Sequence, residues 1–278
     1  MSYASIDIIG GLGNHLFMIA FILSYVKKSK KQLVFKYEEN LKDQFNLPRK
    51  TFWNSLFKNQ FTVLEPEEYN KIPFGVFYEG TNHKHQVVPY DQNGNILFKG
   101  YYQSFQYIDD HIRNEMIGYI YSNADLMHAA YDKYNEIKSY FGNETEDNDM
   151  VSVHIRRTDF IWLNTFNYNL GLDYYEKALK IANKKYIVVF SDDIEWCKQN
   201  VKHMGNIYFI DINNVEIEFL LMSMFQHNII ANSTFSLWAS FISNYQKPKI
   251  VIAPKNWYGP TGPKNWDEIY HKHITHII

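Results

Sequence analysis

Cysteine is almost absent from this chain of 278 residues: Cys197 stands alone. An internal disulfide is excluded, and so is a cysteine–histidine array of the kind that holds structural zinc. No excess of either charge is present. Lys and Arg number 28 against 30 Asp and Glu, a formal net charge of −2. That argues against a generic nucleic-acid binder, which carries a basic surplus. Long apolar runs are missing too. The stretch from Leu16 to Val26 suffices for one helix and falls short of the roughly 20 residues of a membrane span. Met1 to Asp7 has no basic n-region, so neither a signal peptide nor an anchor is expected there. The chain is expected to be soluble and cytoplasmic, or else a catalytic domain without its anchor.

What is present is ample material for a core. Hydrophobic residues make up 46% of the chain, which rules out wholesale disorder. The length suits about two domains of roughly 150 residues. Aromatic residues reach 17%. The abundance of Asn, Ile, Lys, Tyr and Phe fits an AT-rich genome, and rings also suit a sugar site, because sugar C–H faces pack on them as apolar surface does.

The chain opens with an apolar strand, Ser5 to Ile9, and a turn, Gly10-Gly11-Leu12-Gly13-Asn14. Leu16, Phe17, Ala20, Leu23 and Val26 follow at helical spacing, and Lys27, Lys28, Lys30 and Lys31 close the helix where its dipole is negative. Leu33 to Phe35 reads as the next strand. From Asn40 to Gly100 no clean period emerges, and short strands and loops are expected. Ser104 to Tyr121 and Asp125 to Phe141 read as helices. The polar stretch Gly142 to Asp149 is the expected linker. Beyond it strands (Met150–Ile155, Tyr186–Phe190, Ile207–Ile210, Asn228–Ala231, Ile250–Ala253) alternate with helices (Asp173–Ala182, from Ile194, Glu216–Met224, Ser236–Tyr245). Such alternation signals a parallel doubly wound sheet. The expected division is 1–149 and 150–278, two Rossmann-like domains facing across a cleft, with the tail from about 257 packing back on the first.

Ligands of open α/β sheets bind beyond the carboxyl ends of strands, so the turns there carry the functional reading. Four stand out. Gly10 to Asn14 lets backbone N–H groups approach a phosphate, but it lacks the third glycine of a dinucleotide fingerprint and any Walker lysine. His154-Ile155-Arg156-Arg157-Thr158-Asp159 ends an apolar strand in two arginines. Alternation places His154 and Arg156 on one face, and a guanidinium fork suits phosphate oxygens. Arg157 paired with Asp159 is the structural alternative. Ser191-Asp192-Asp193 offers carboxylates for a base, a ribose or Mg²⁺, or else a helix cap. Asn232-Ser233-Thr234-Phe235-Ser236 offers N–H and O–H donors at a helix start, or ordinary capping. Asp147-Asn148-Asp149 has the Asp-x-Asp pattern of manganese-dependent transferases, but its position reads as solvated linker.

These segments resemble glycosyltransferase family 11, the α-1,2-fucosyltransferases, nearly end to end. The resemblance rests on Gly10 to Asn14, Gly100-Tyr101-Tyr102-Gln103-Ser104, His154 to Asp159, Leu172-Asp173-Tyr174-Tyr175, Phe190 to Asp193, Ala231 to Ser236 and Val251 to Trp257. It implies a GT-B-like α/β fold, GDP-β-L-fucose as donor and a galactose-containing glycan as acceptor. It also implies an α-1,2 linkage made with inversion, no metal and no cofactor beyond the donor. By the same resemblance Arg156 holds the diphosphate and is the catalytic residue. His154 lies near the nucleotide, Asp192 near guanine or ribose, Ser233 and Thr234 near the β-phosphate, and Gly13 and Asn14 face the donor. Asp159, Asp173 and Glu176 are candidate bases for the acceptor proton; Asp159 reads as structural, paired with an arginine of its own motif. Three positions depart from the family pattern: His15 stands for Gln, Thr158 for Gly, and Leu237 for the first Trp of a pair. They motivate two rivals, a transferase of another nucleotide sugar such as GDP-mannose and a binding protein without turnover. An NAD-type oxidoreductase is disfavoured, because lysines fill the stretch where an acidic ribose ligand belongs.

Overall fold

The computed structural model describes residues 2–43, 45–80, 84–90, 93–243 and 248–278. The chain forms two compact units, Met1–Asn123 with Asn265–Tyr270, and Ala124–Lys264 with His271–Ile278. Among the described residues no helix is long and apolar enough to cross a membrane.

In the first unit a four-stranded parallel sheet takes the order Gln32–Leu33, Tyr3–Ile6, Asn95–Lys99, Phe74–Tyr78. The first strand feeds the helix Leu12–Ser29, nearly all of which is buried. Two of these strands come from the segment without a clear period. Phe74–Tyr78 is exposed at three of its five positions, which removes the alternation a half-buried strand would show. The expected helix from Ser104 is interrupted: a 3₁₀ turn, Phe105–Tyr107, comes first, and the helix runs Asp110–Ile120. The Ser104 hydroxyl accepts the Gln106 N–H at 3.2 Å and caps that turn separately. Aromatic residues fill this core, with Tyr102 stacked on Phe21 at 3.8 Å between centroids.

In the second unit six parallel strands lie in the order Asn206–Phe209, Tyr186–Ser191, Met150–Ile155, His227–Ile229, Val251–Ala253, His276–Ile277. Numbered within the unit this is the Rossmann order 3-2-1-4-5-6. Every residue of Met150–Ile155 is buried, as a central strand covered on both faces requires. The last expected helix runs Thr234–Ile242; its proposed end at Tyr245 lies outside the described residues.

The polar stretch before Met150 is built into the second unit. Asp147 accepts from Tyr134 Oη at 2.9 Å and from Lys138 Nζ at 3.0 Å, and Asn148 Oδ1 lies 3.0 Å from His227 Nε2. The units divide after Asn123, because the helix Ala124–Phe141 packs on the second unit's own helix Val215–Ser223, with Tyr134 edge-on to Phe225 at 5.2 Å. Asp147 and Asp149 therefore lie in a fixed 3₁₀ turn rather than a solvated linker.

Candidate active site

The strand order of the second unit reverses between Met150–Ile155 and His227–Ile229. A crevice opens at such a switch point beyond the carboxyl ends of the strands. The turn after the first of these strands carries Arg156 and Arg157. The turn after the second carries Ser233 and Thr234. The neighbouring strand Tyr186–Ser191 runs in register with Met150–Ile155, Ser191 opposite Ile155, and so delivers Asp192 and Asp193 beside the arginines.

Arg156 is held by two carboxylates: Nη2 donates to Asp159 Oδ1 at 2.6 Å, and Nη1 lies 2.9 Å from Asp192 Oδ2. Asp192 also accepts the Arg157 N–H at 2.8 Å and the Thr158 hydroxyl. Thr158, one of the departures, thus adds a donor to this network that glycine lacks. Arg157 turns the other way. Its Nε donates to Asp193 Oδ2 at 3.0 Å, and its guanidinium lies 3.5 Å over the Trp196 ring. Asp193 also caps the helix Ile194–Asn200 by accepting the Trp196 N–H.

Two expectations change. Asp159 pairs with Arg156 and not with Arg157. Arg156, expected from the resemblance to hold the diphosphate, is already held by two carboxylates. The cluster contains two guanidinium groups and three carboxylates, so it is acidic by one charge.

Other residues have clear places. His154 is buried on the central strand against Phe235, with ring centroids 5.5 Å apart. Burial, and then Arg156, lowers its pKa to about 3, and its Nδ1 has no partner among the described residues. Ser233 is the cap residue of Thr234–Ile242, yet its side chain makes no capping bond. Asn232 Nδ2 donates to Tyr168 O at 2.9 Å and to Trp257 O at 2.7 Å. Asp173 and Glu176 sit on the helix Leu172–Ala182, where Asp173 lies 3.6 Å from Lys177 and Glu176 3.7 Å from His203. No three His, Cys, Asp or Glu side chains gather as a metal site among the described residues.

Glu218, which the sequence reading passed over, belongs to this neighbourhood. Burial, and then the charges of Asp192 and Asp211, push its carboxyl up to about 8. The sequence signal was slight: an acidic residue in the first turn of the helix after the strand Asn206–Phe209.

Gly13 and Asn14 lie in the first unit. Gly10, at φ 77°, lets the chain turn into the helix, and a Cβ there would lie 2.3 Å from Asn14 Nδ2. Asn14 Oδ1 accepts from Gln103 Nε2 at 2.8 Å, which joins two of the segments singled out in the sequence. His15 is buried edge-on to Phe52, its pKa is lowered to about 3 by burial, and its Nε2 has no partner among the described residues.

A Rossmann-like unit preceded by a second parallel α/β unit is the architecture of a GT-B-like glycosyltransferase. Solved structures of that fold class resemble the chain. The α-1,6-fucosyltransferase NodZ, from Bradyrhizobium, soaked with GDP-fucose gives a TM-score of 0.53 at 11% identity, over 87% of this chain and 93% of that one. POFUT1 in complex with GDP gives 0.51 at 11% identity, over 91% and 98%. The chain belongs to glycosyl transferase family 11, whose model matches residues 82–277. It is 29% identical to the O-antigen biosynthesis glycosyltransferase WbnK of Escherichia coli, over 90% of this chain and 93% of that protein. It is 27% identical to an α-1,2-colitosyltransferase of Escherichia coli, over 93% of each.

Proposed function

We propose that the chain transfers L-fucose from GDP-fucose to a hydroxyl of a β-galactoside, with inversion and without a metal, forming an α-1,2 linkage. The observation that carries this reading is the set of donors at the switch point of the second unit. Departure of GDP breaks the bond between the sugar C1 and a β-phosphate oxygen and leaves charge on that phosphate. Arg156, with N–H groups beyond the two held by Asp159 and Asp192, meets that charge. The backbone N–H groups at the start of Thr234–Ile242 and the Ser233 hydroxyl add to it. Because the resting cluster is acidic by one charge, the diphosphate takes Arg156 partly away from its carboxylates. Asp192 is occupied by its own motif, so the guanine edge, which presents two adjacent N–H donors, is assigned to Glu218. The fucosyltransferase neighbours determined with GDP and GDP-fucose support the donor class.

A transferase of another nucleotide sugar is the second reading. The relative named for colitosyl transfer and Thr158 within the Arg156 motif favour it. The test is GDP release from GDP-fucose and from GDP-mannose, with and without lactose, in the presence of a chelator. Release from GDP-fucose that rises with lactose and survives chelation is expected. Release from GDP-mannose alone supports the second reading. Donor binding with no release from either identifies a binding protein, and release restored only by Mn²⁺ overturns metal independence.

A further inference from the structure

Beyond the strand Met150–Ile155 the chain makes a short helix, Thr158–Trp162, and then a loop reaching Gly171. The inner side of this loop is fixed. Gly259 N donates to Phe166 O at 2.7 Å, Thr261 N donates to Thr165 O at 2.8 Å, and Asn167 and Tyr258 form an antiparallel bridge. Asn232 ties Tyr168 O to Trp257 O immediately before Ser233 and Thr234. The approach is close: a Cβ on Gly259 would lie 2.6 Å from Thr165 O. At the start of the helix Arg156 lies 5.6 Å from the Phe160 ring centroid.

The end of that helix and the loop beyond it expose large apolar side chains to water. Trp162 is 83% exposed, Ile161 39% and Tyr168 38%. A tryptophan is usually well buried, and one left in water on a pinned loop is surface kept for something else to cover. Exposed Asn164 and Asn169 stand in the same loop and bring amide donors and acceptors. A flat exposed ring in a loop that also carries exposed amides suits a glycan, because a pyranose C–H face packs on such a ring and sugar hydroxyls pair with amides. Trp162 stands six residues after Arg156, and the loop that follows it is tied through Asn232 to the turn that carries Ser233.

We propose that the loop around Trp162 is an acceptor-glycan subsite, with the indole as the platform for one pyranose ring of the acceptor. This rests on the reading of the chain as a glycosyltransferase of galactosides and places part of acceptor recognition in the second unit. The alternative occupants of an exposed tryptophan, a second copy of the chain or a lipid surface, are not favoured by neighbouring amides or by a position beside the donor motif.

The experiment compares Trp162→Ala and Trp162→Phe with the unaltered protein in two measurements. In steady-state assays with GDP-fucose and lactose, Trp162→Ala is expected to raise KM for lactose about tenfold, with KM for GDP-fucose moving less than about twofold. Trp162→Phe, which keeps a ring, should hold KM for lactose within about threefold. An unchanged lactose KM in Trp162→Ala overturns the assignment, as does a parallel rise in both KM values, which marks a folding defect. The second measurement needs no turnover: saturation-transfer NMR with lactose. Signal from the unaltered protein that is lost in Trp162→Ala supports the subsite. Equal signal in both, or none in the unaltered protein, overturns it. Failure of GDP release from GDP-fucose would instead strike the donor reading, and the NMR result would stand apart from it.

Discussion

Arg156 has two obligations, and they conflict in any simple truncation. It stands at the strand end where the proposed diphosphate would bind, and it neutralises Asp159 and Asp192 in a partly buried setting. Replacing it by alanine removes the cation shared by two carboxylates, so Arg156→Ala is expected to lose stability as well as activity. Arg156→Lys is the sharper test. It keeps a charge but loses the fork, and kcat is expected to fall about 10²–10³-fold with a melting temperature nearer to the unaltered protein than that of Arg156→Ala. Glu218 makes a prediction with a definite sign. Its carboxyl is raised to about 8 by burial and by Asp192 and Asp211, so it carries a proton at neutral pH. Accepting two N–H groups from guanine requires the carboxylate. GDP affinity should therefore rise as pH increases towards 8 and level off above it, with a proton released on binding. In Glu218→Gln that slope should vanish, and at pH 8.5 affinity should fall about tenfold or more, as titration calorimetry would show. Neither Glu218 nor the double pairing of Arg156 was legible beforehand. Both depend on which carboxylates adjacent strands bring together, and a residue's burial beside other charges has no signature in its own neighbours along the chain.

At the scale of elements, the strand-ending turns were legible and the long middle segment was not. His154 to Asp159 announces itself because a strand of six buried residues, five of them apolar or small, ends abruptly in two arginines. The strands Phe74–Tyr78 and Asn95–Lys99 lacked such contrast: the first is largely exposed and the second only half-buried at its ends. The loop after Thr158–Trp162 shows a further limit. Its shape comes from Gly259 and Gly262, nearly a hundred residues away, whose missing side chains let two backbones meet. Gly259→Ala drives a methyl group against Thr165 O, where only backbone can yield. It is expected to lower the unfolding free energy by about 1–3 kcal/mol in urea titrations. It should also raise KM for the acceptor, because the loop would shift with its anchor.

Across the whole chain, the alternation of strands and helices after residue 150 sufficed to foresee a parallel Rossmann-like sheet, and the order 3-2-1-4-5-6 follows from right-handed crossovers on both sides of the central strand. The division into units was harder to read. Polarity suggested a linker at 142–149, whereas the helix Ala124–Phe141 had already joined the second unit through its apolar face. The ends of the chain matter more than their length suggests. Residues 265–270 belong to the first unit, where Glu268 accepts from Ser104 Oγ at 3.2 Å and from His85 N at 2.6 Å, and residues 271–278 return to add the edge strand His276–Ile277 to the second. The polypeptide therefore passes from one unit to the other three times. Neither unit is complete until residues 265–278 have left the ribosome, so each must wait, partly built, for the same short piece of chain. For protein engineering, a chimera with a relative made by a single crossover near residue 123 would place a foreign segment in the first unit. Exchanging the second unit cleanly requires three junctions, at 123/124, 264/265 and 270/271.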